Sequence, residues 1–205
     1  MYQLLSKKIT VSLIKKNIIH YADRRIYEYC IEVLLSDVIY FLVAALTAIF
    51  TNSILASIVF LIFFFLIRKF AGGYHADTYL RCHIISWVNQ ILMVLLYKMV
   101  PTIFLKPLTL FFILTGTIFI FLFAPVENKS KPLSVKEKEK YAVLSKSIVA
   151  FAAIMVIVLS FTNTAFRYML IAVFGIFSVS ISLVAEKIKN HKKGEKENDK
   201  ERADN

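Results

Sequence analysis

Six apolar blocks, each close to the length of a bilayer crossing and each bounded by charge, proline or a polar turn, constrain this chain more than any other feature. A spanning helix needs about 20 apolar residues and tolerates about 17. The first block runs from Leu34 to Phe50, and the second from Ile54 to Ile67, reaching back into Phe50 for length. The third runs from Cys82 or His83 to Val100, and the fourth from Leu108 to Ala124, entered after Lys106-Pro107, a proline position suited to a helix start. The fifth, Ser147 to Phe161, is short and needs Val143 and Leu144 or local bilayer thinning, and the sixth is Tyr168 to Ala185. With 58% hydrophobic residues and a mean hydropathy of +0.66, composition points away from a water-soluble fold. The expectation is an all-α integral membrane protein of about six transmembrane helices.

Orientation follows from Lys and Arg, which stay on the cytoplasmic side of short loops. Taken in order, the segments around the six blocks carry 6, 0, 3, 2, 6, 1 and 7 basic residues, which accounts for all 25. High and low values alternate. Both termini, the loop after the second block and the loop holding Lys129 to Lys146 are therefore expected in the cytoplasm. That alternation also explains the net charge of +11 without nucleic acid, because the basic residues flank apolar spans and form no stripe with interleaved aromatics.

Three regions follow. Residues 1–32 carry Leu5, Ile9, Leu13, Ile14 and Ile18 at near-helical spacing with lysines between, the pattern of an amphipathic helix resting on a lipid surface or receiving a partner peptide. Residues 33–186 form the membrane domain. Residues 187–205 mix Lys, Glu, Asp and Asn with almost no apolar side chains and read as an unstructured cytoplasmic tail.

The chemistry gathers after the second block, where Arg68-Lys69-Phe70-Ala71-Gly72-Gly73-Tyr74-His75 is followed by Asp77, Arg81, Cys82 and His83. Ionisable residues at membrane depth are costly and more often functional than decorative. Arg68, Lys69 and Arg81 are each explained as topology anchors. His75 and Cys82 are harder to dismiss, since an imidazole can take the proton of a thiol and the thiolate attacks carbonyls. On a straight helix seven residues would hold them about 10.5 Å apart along the axis. A broken or re-entrant segment is therefore required, and Gly72-Gly73 supplies the backbone freedom. His83 is the competing base, although neighbouring side chains on a helix do not face each other. No HExxH or CxxC spacing supports a metal, no phosphate-binding glycine loop is present, and no cofactor is implied. Cys30 lacks a nearby activating group other than His20 and reads as a small apolar filler. Both cysteines are expected as free thiols.

The run R-K-F-A-G-G-Y-H-A-x-T-x-x-x-x-C, followed by A-P-V-E-N-K-S-K-P-L between Ala124 and Leu133, resembles the accessory gene regulator B (AgrB) family. The likeness covers essentially the whole chain in length, hydropathy and order of motifs. It implies a bacterial cell-membrane cysteine endopeptidase that processes an AgrD-type propeptide to a cyclic autoinducing peptide for quorum sensing, with a homodimer as the family's assembly. It places the catalytic pair on His75 and Cys82, through a thioester to Cys82. Gly72 and Gly73 are candidates for oxyanion support and Asp77 for orienting His75. Arg68, Lys69, Arg81, Lys129 and Lys131 are candidates for contact with the acidic tail of the propeptide. Two other readings stand beside it: a small transporter with Asn89 and Gln90 lining a solute path, and an assembly factor for which neither His75 nor Cys82 matters.

Overall fold

The computed structural model describes residues 2–73, 79–126, 134–159 and 166–203. Among them are seven α-helices and no strand: α1 (Tyr2–Lys15), α2 (Arg24–Phe50), α3 (Ile54–Ala71), α4 (Tyr79–Met99), α5 (Thr102–Phe123), α6 (Val135–Leu159) and α7 (Phe166–Ala203), with a 3-10 turn at Tyr21–Asp23 before α2. Six of them, α2 to α7, are long and apolar enough to cross a membrane. The all-α membrane architecture is the one that hydropathy indicates.

Boundaries follow local chemistry. Asn17 and Asn52 both take positive φ, 53° and 50°. Each ends its helix in the same way: Ile18 and Ser53 donate to carbonyls five residues back, Leu13 and Ala48, while the asparagines donate to Ile14 and Ile49. This is the left-handed helix stop in which asparagine substitutes for glycine. α6 begins earlier than the apolar block because Ser134 and Glu137 form a reciprocal cap, with Ser134 N–H donating to Glu137 Oε2 at 3.0 Å and Glu137 N–H to Ser134 Oγ at 3.4 Å. Lys136, Lys138 and Lys140 are thus on a helix, not in a loop. α5 starts at Thr102, so Pro107 lies inside it rather than at its entrance. α7 stays helical to Ala203, through the segment that composition reads as unstructured. That segment is rich in Lys and Glu, which are good helix formers.

Within 1–32 the chain is two helices, not one. α1 folds back on α2 through small polar residues: Ser6 and Thr10 are fully buried, and Ser6 Oγ donates to Glu32 at 3.3 Å. Leu4, Leu5, Val11 and Ile18 point outward.

The bundle is arranged around α7. Of its most apolar stretch 67% is buried, against 22–33% in the other five spans. It packs most extensively on α5 and α3. Small residues allow this: a Cβ at Gly175 would lie 3.1 Å from the Phe60 carbonyl oxygen, and one at Gly116 would lie 3.4 Å from Ile176. Inward faces of the outer helices are four-residue stripes, such as Ser36, Tyr40, Ala44 and Ala48 on α2.

Candidate active site

The break between α3 and α4 is built by two glycines. Gly72 has φ 82° and Gly73 φ 148°, conformations that a side chain disfavours. A Cβ on Gly72 would collide with the Val126 carbonyl oxygen, and Val126 N–H donates to the Ala71 carbonyl at 3.0 Å. The Arg68–Gly73 motif is thereby joined to the start of the Ala124-Pro125-Val126 motif. The Gly72 N–H donates to the Arg68 carbonyl at 3.0 Å, which ends α3 and commits that donor to the helix rather than to a reacting carbonyl. A Cβ on Gly73 would lie 2.7 Å from Ser182 Oγ and 3.1 Å from Arg68 Nη1. Gly73 is bare so that α7 can close on this point.

Cys82 lies at the start of α4 and lines a cavity of about 280 Å³. Three helices each contribute one stripe to it. From α4 come Cys82, Ile85, Ser86 and Asn89, from α7 Ser178, Ile181, Ser182 and Ala185, and from α3 Phe64 and Arg68. Each set has the spacing of a single helix face. Arg68 sits over the Phe64 ring, 5.6 Å from its centroid, and donates through Nη1 to Ser182 Oγ at 3.1 Å. Arg68 and Cys82 line the same cavity. Glu186 is only 2% exposed, and Tyr40 5%. A guanidinium lining the same cavity can offset the negative oxygen that forms when a carbonyl there is attacked. A larger hollow of about 600 Å³ between α4 and α5 is lined by apolar side chains throughout and offers no reacting group.

His83, the competing base, turns away from Cys82's cavity. It is 5% exposed, shares a 3.0 Å hydrogen bond between its Nε2 and Ser36 Oγ on α2, and stacks on Trp87 at 5.7 Å. Asn89 lines the cavity, whereas Gln90 donates to Ser57 on α3 at 3.0 Å, so the two do not share a path. Lys69 is exposed, with Nζ 5.5 Å from the Phe70 ring centroid, and Arg81 is exposed; neither lines the cavity. His75, Asp77, Lys129 and Lys131 lie outside the described residues. Both cysteines are free, and Cys30 is exposed on α2 instead of filling a core position.

Sequence reasoning missed the α7 wall. Ser178 and Ser182 are four residues apart within an apolar span, and polar residues at that spacing in a membrane helix face a partner. Asp37, an acid within the first span, was a second readable signal.

The profile of one family, accessory gene regulator B, matches residues 6–183, which include both motifs and every polar residue lining the cavity. A putative AgrB-like protein of Clostridium beijerinckii is 30% identical over 128 residues, 62% of this chain and 63% of that protein. The match thus spans less than two thirds of that relative's length. No solved structure matches the chain. With the family profile covering most of its length, the chain belongs to the accessory gene regulator B family.

Proposed function

We propose that this chain is a membrane-embedded cysteine endopeptidase that cuts the carboxy-terminal tail from an AgrD-type propeptide and passes the remainder on to ring closure. The observation that carries this reading is the placement of Cys82: half-buried in a largely apolar cavity that Arg68, Ser178 and Ser182 also line. A structural cysteine needs none of these. His75, seven residues earlier, is the base.

The imidazole accepts the thiol proton, and sulfur forms a bond to the carbonyl carbon of the scissile peptide. Arg68 offsets charge as the carbonyl oxygen becomes negative. The C–N bond then breaks, the departing amine takes the proton from the imidazolium, and the tail leaves. The acyl group is left as a thioester on Cys82. A thiol or hydroxyl upstream in the same substrate attacks that thioester, closing a thiolactone or lactone and returning the proton and the thiol to Cys82. Exchange of one thioester for another is nearly balanced, so the ring-closing step itself needs no nucleotide.

Access is from the cytoplasm in this proposal, with both termini on that side. Lys187 and Lys146 support it: their ammonium groups lie 4.4 Å and 5.9 Å from the Phe123 and Phe121 rings, at the end of α5 that leads to Val126 and Gly72. Basic residues thus collect around the mouth of the site.

The test is reconstitution in lipid with the cognate propeptide, following products by mass spectrometry for the wild type, His75→Ala and Cys82→Ala. Loss of cleavage in both variants and a wild-type adduct on Cys82 are expected. Cleavage that continues in Cys82→Ala would end the proposal.

A further inference from the structure

Hydroxyls in this bundle usually satisfy themselves on their own helix. Thr47, Thr109 and Ser180 donate to carbonyls one turn back at 2.8, 2.7 and 2.7 Å. That option is open to any serine in a membrane helix. Ser178 does not take it. It is 6% exposed, its Oγ has no hydrogen-bond partner, and it lines the cavity that holds Cys82. A buried hydroxyl without a partner is destabilising, and a ligand that accepts from it relieves that penalty.

Depth separates Ser178 from the reacting level. α7 runs toward Ser182 and Glu186 as α3 runs toward Arg68, while α4 runs the opposite way from Cys82. Ser178 lies one turn, about 6 Å, farther in than Ser182. Asn89 lies two turns beyond Cys82 on the same face. The cavity therefore has an outer level of Cys82, Arg68 and Ser182, and an inner level of Ser178 and Asn89 walled by Phe64 and Ile85.

We propose that the inner level is a substrate subsite. It takes the apolar side chain of the residue whose carbonyl Cys82 attacks, and the Ser178 hydroxyl donates to a backbone carbonyl of that same peptide segment. This rests on the peptidase reading above. Peptide groups carried to membrane depth must find hydrogen-bond partners in protein, and Ser178 is a donor held in reserve for one. The hydrocarbon walls accept an apolar side chain and would strand a charged one. A lipid chain entering the same space would leave the hydroxyl unpartnered.

The experiment follows single-turnover acylation of Cys82 in the reconstituted chain, using the cognate AgrD-type propeptide and, separately, iodoacetamide. Ser178→Ala is expected to slow acylation at limiting peptide about tenfold, the loss of one hydrogen bond. Ser178→Thr, which keeps the hydroxyl, restores it, and alkylation by iodoacetamide is unchanged in both. In the wild type, aspartate in place of an apolar residue before the scissile bond lowers acylation roughly a hundredfold or more. Wild-type rates in Ser178→Ala, or equal reaction of the apolar and acidic peptides, would overturn the subsite. If Ser178→Ala also lost alkylation, the comparison of peptides on the wild type would decide alone. No acylation in a wild type whose Cys82 still alkylates would remove the peptidase reading, and the subsite with it.

Discussion

Replacing glycines by alanine tests the packing of this bundle at three grades of closeness. At Gly72 the backbone has φ 82° and ψ −152°, a region nearly closed to other residues, and the added methyl would meet the Val126 carbonyl oxygen. Strain of that kind costs about 1–3 kcal/mol. Displacing Val126 also weakens its hydrogen bond to Ala71, worth about 1 kcal/mol. The sum is about 2–4 kcal/mol, or a fall in Tm of about 4–16 °C for a chain of this length. At Gly175 the new Cβ would lie 3.1 Å and 3.2 Å from backbone atoms of Phe60 and Phe64, so α3 and α7 must part by a few tenths of an ångström. Overpacking of about 1–3 kcal/mol is offset by about 1 kcal/mol of helix propensity. At Gly116 the nearest atom is 3.4 Å away, an ordinary contact, so propensity alone acts and the change is neutral or slightly stabilising. Thermal unfolding of the three purified variants in detergent, followed by tyrosine and tryptophan fluorescence, gives the order. Gly116→Ala as damaging as Gly72→Ala, or Gly72→Ala melting with the wild type, would refute the reasoning.

His83→Gln is expected to keep propeptide cleavage within a few fold while His75→Ala abolishes it; equal losses in a product assay would restore His83 as the base. Ser36→Ala removes the hydrogen bond between Ser36 and the buried His83 and lowers stability by about 1 kcal/mol, read by unfolding, with iodoacetamide labelling of Cys82 unchanged. Reversing Lys136, Lys138 and Lys140 to glutamate weakens binding of a propeptide with an acidic tail and flattens its salt dependence; affinity unchanged across salt would remove the electrostatic role of that helix start. A cysteine introduced at Asn17 should label from the cytoplasmic side and one at Asn52 from the outer side; the reverse pattern would invert the orientation, and labelling of both from one side would mean that α2 does not cross.

The six spans were legible because hydropathy and bilayer thickness set them together, and the stop at Thr51-Asn52-Ser53 was legible from its polar turn. What hydropathy does not carry is which face of a span turns inward. Lipid and protein interior are equally apolar, so Phe50 at 83% exposure and Phe60 at 0% look alike in the sequence. The same blindness hid α7 as the wall of the site, although Ser178 and Ser182 were in view. Cys82 could be singled out because a thiol among ionisable residues at membrane depth is rare, whereas Arg68 read first as a topology anchor. Their meeting with α7 depends on contacts 114 residues apart, from Arg68 to Ser182, which no local pattern encodes. The cap at Ser134–Glu137 was a readable S-x-x-E signal, and it shows why the fifth span is longer than its apolar block.

α7 is the last of the six spans in chain order and also the most enclosed. During insertion the first five therefore enter the bilayer around a missing centre, and Arg68 has no Ser182 to hold it and the cavity no floor. Cys82 is in the membrane, but the cavity that it lines is not yet closed. Competence to react would then arrive in one step with the final helix, so a chain interrupted before α7 would be inert and poorly packed rather than partly active.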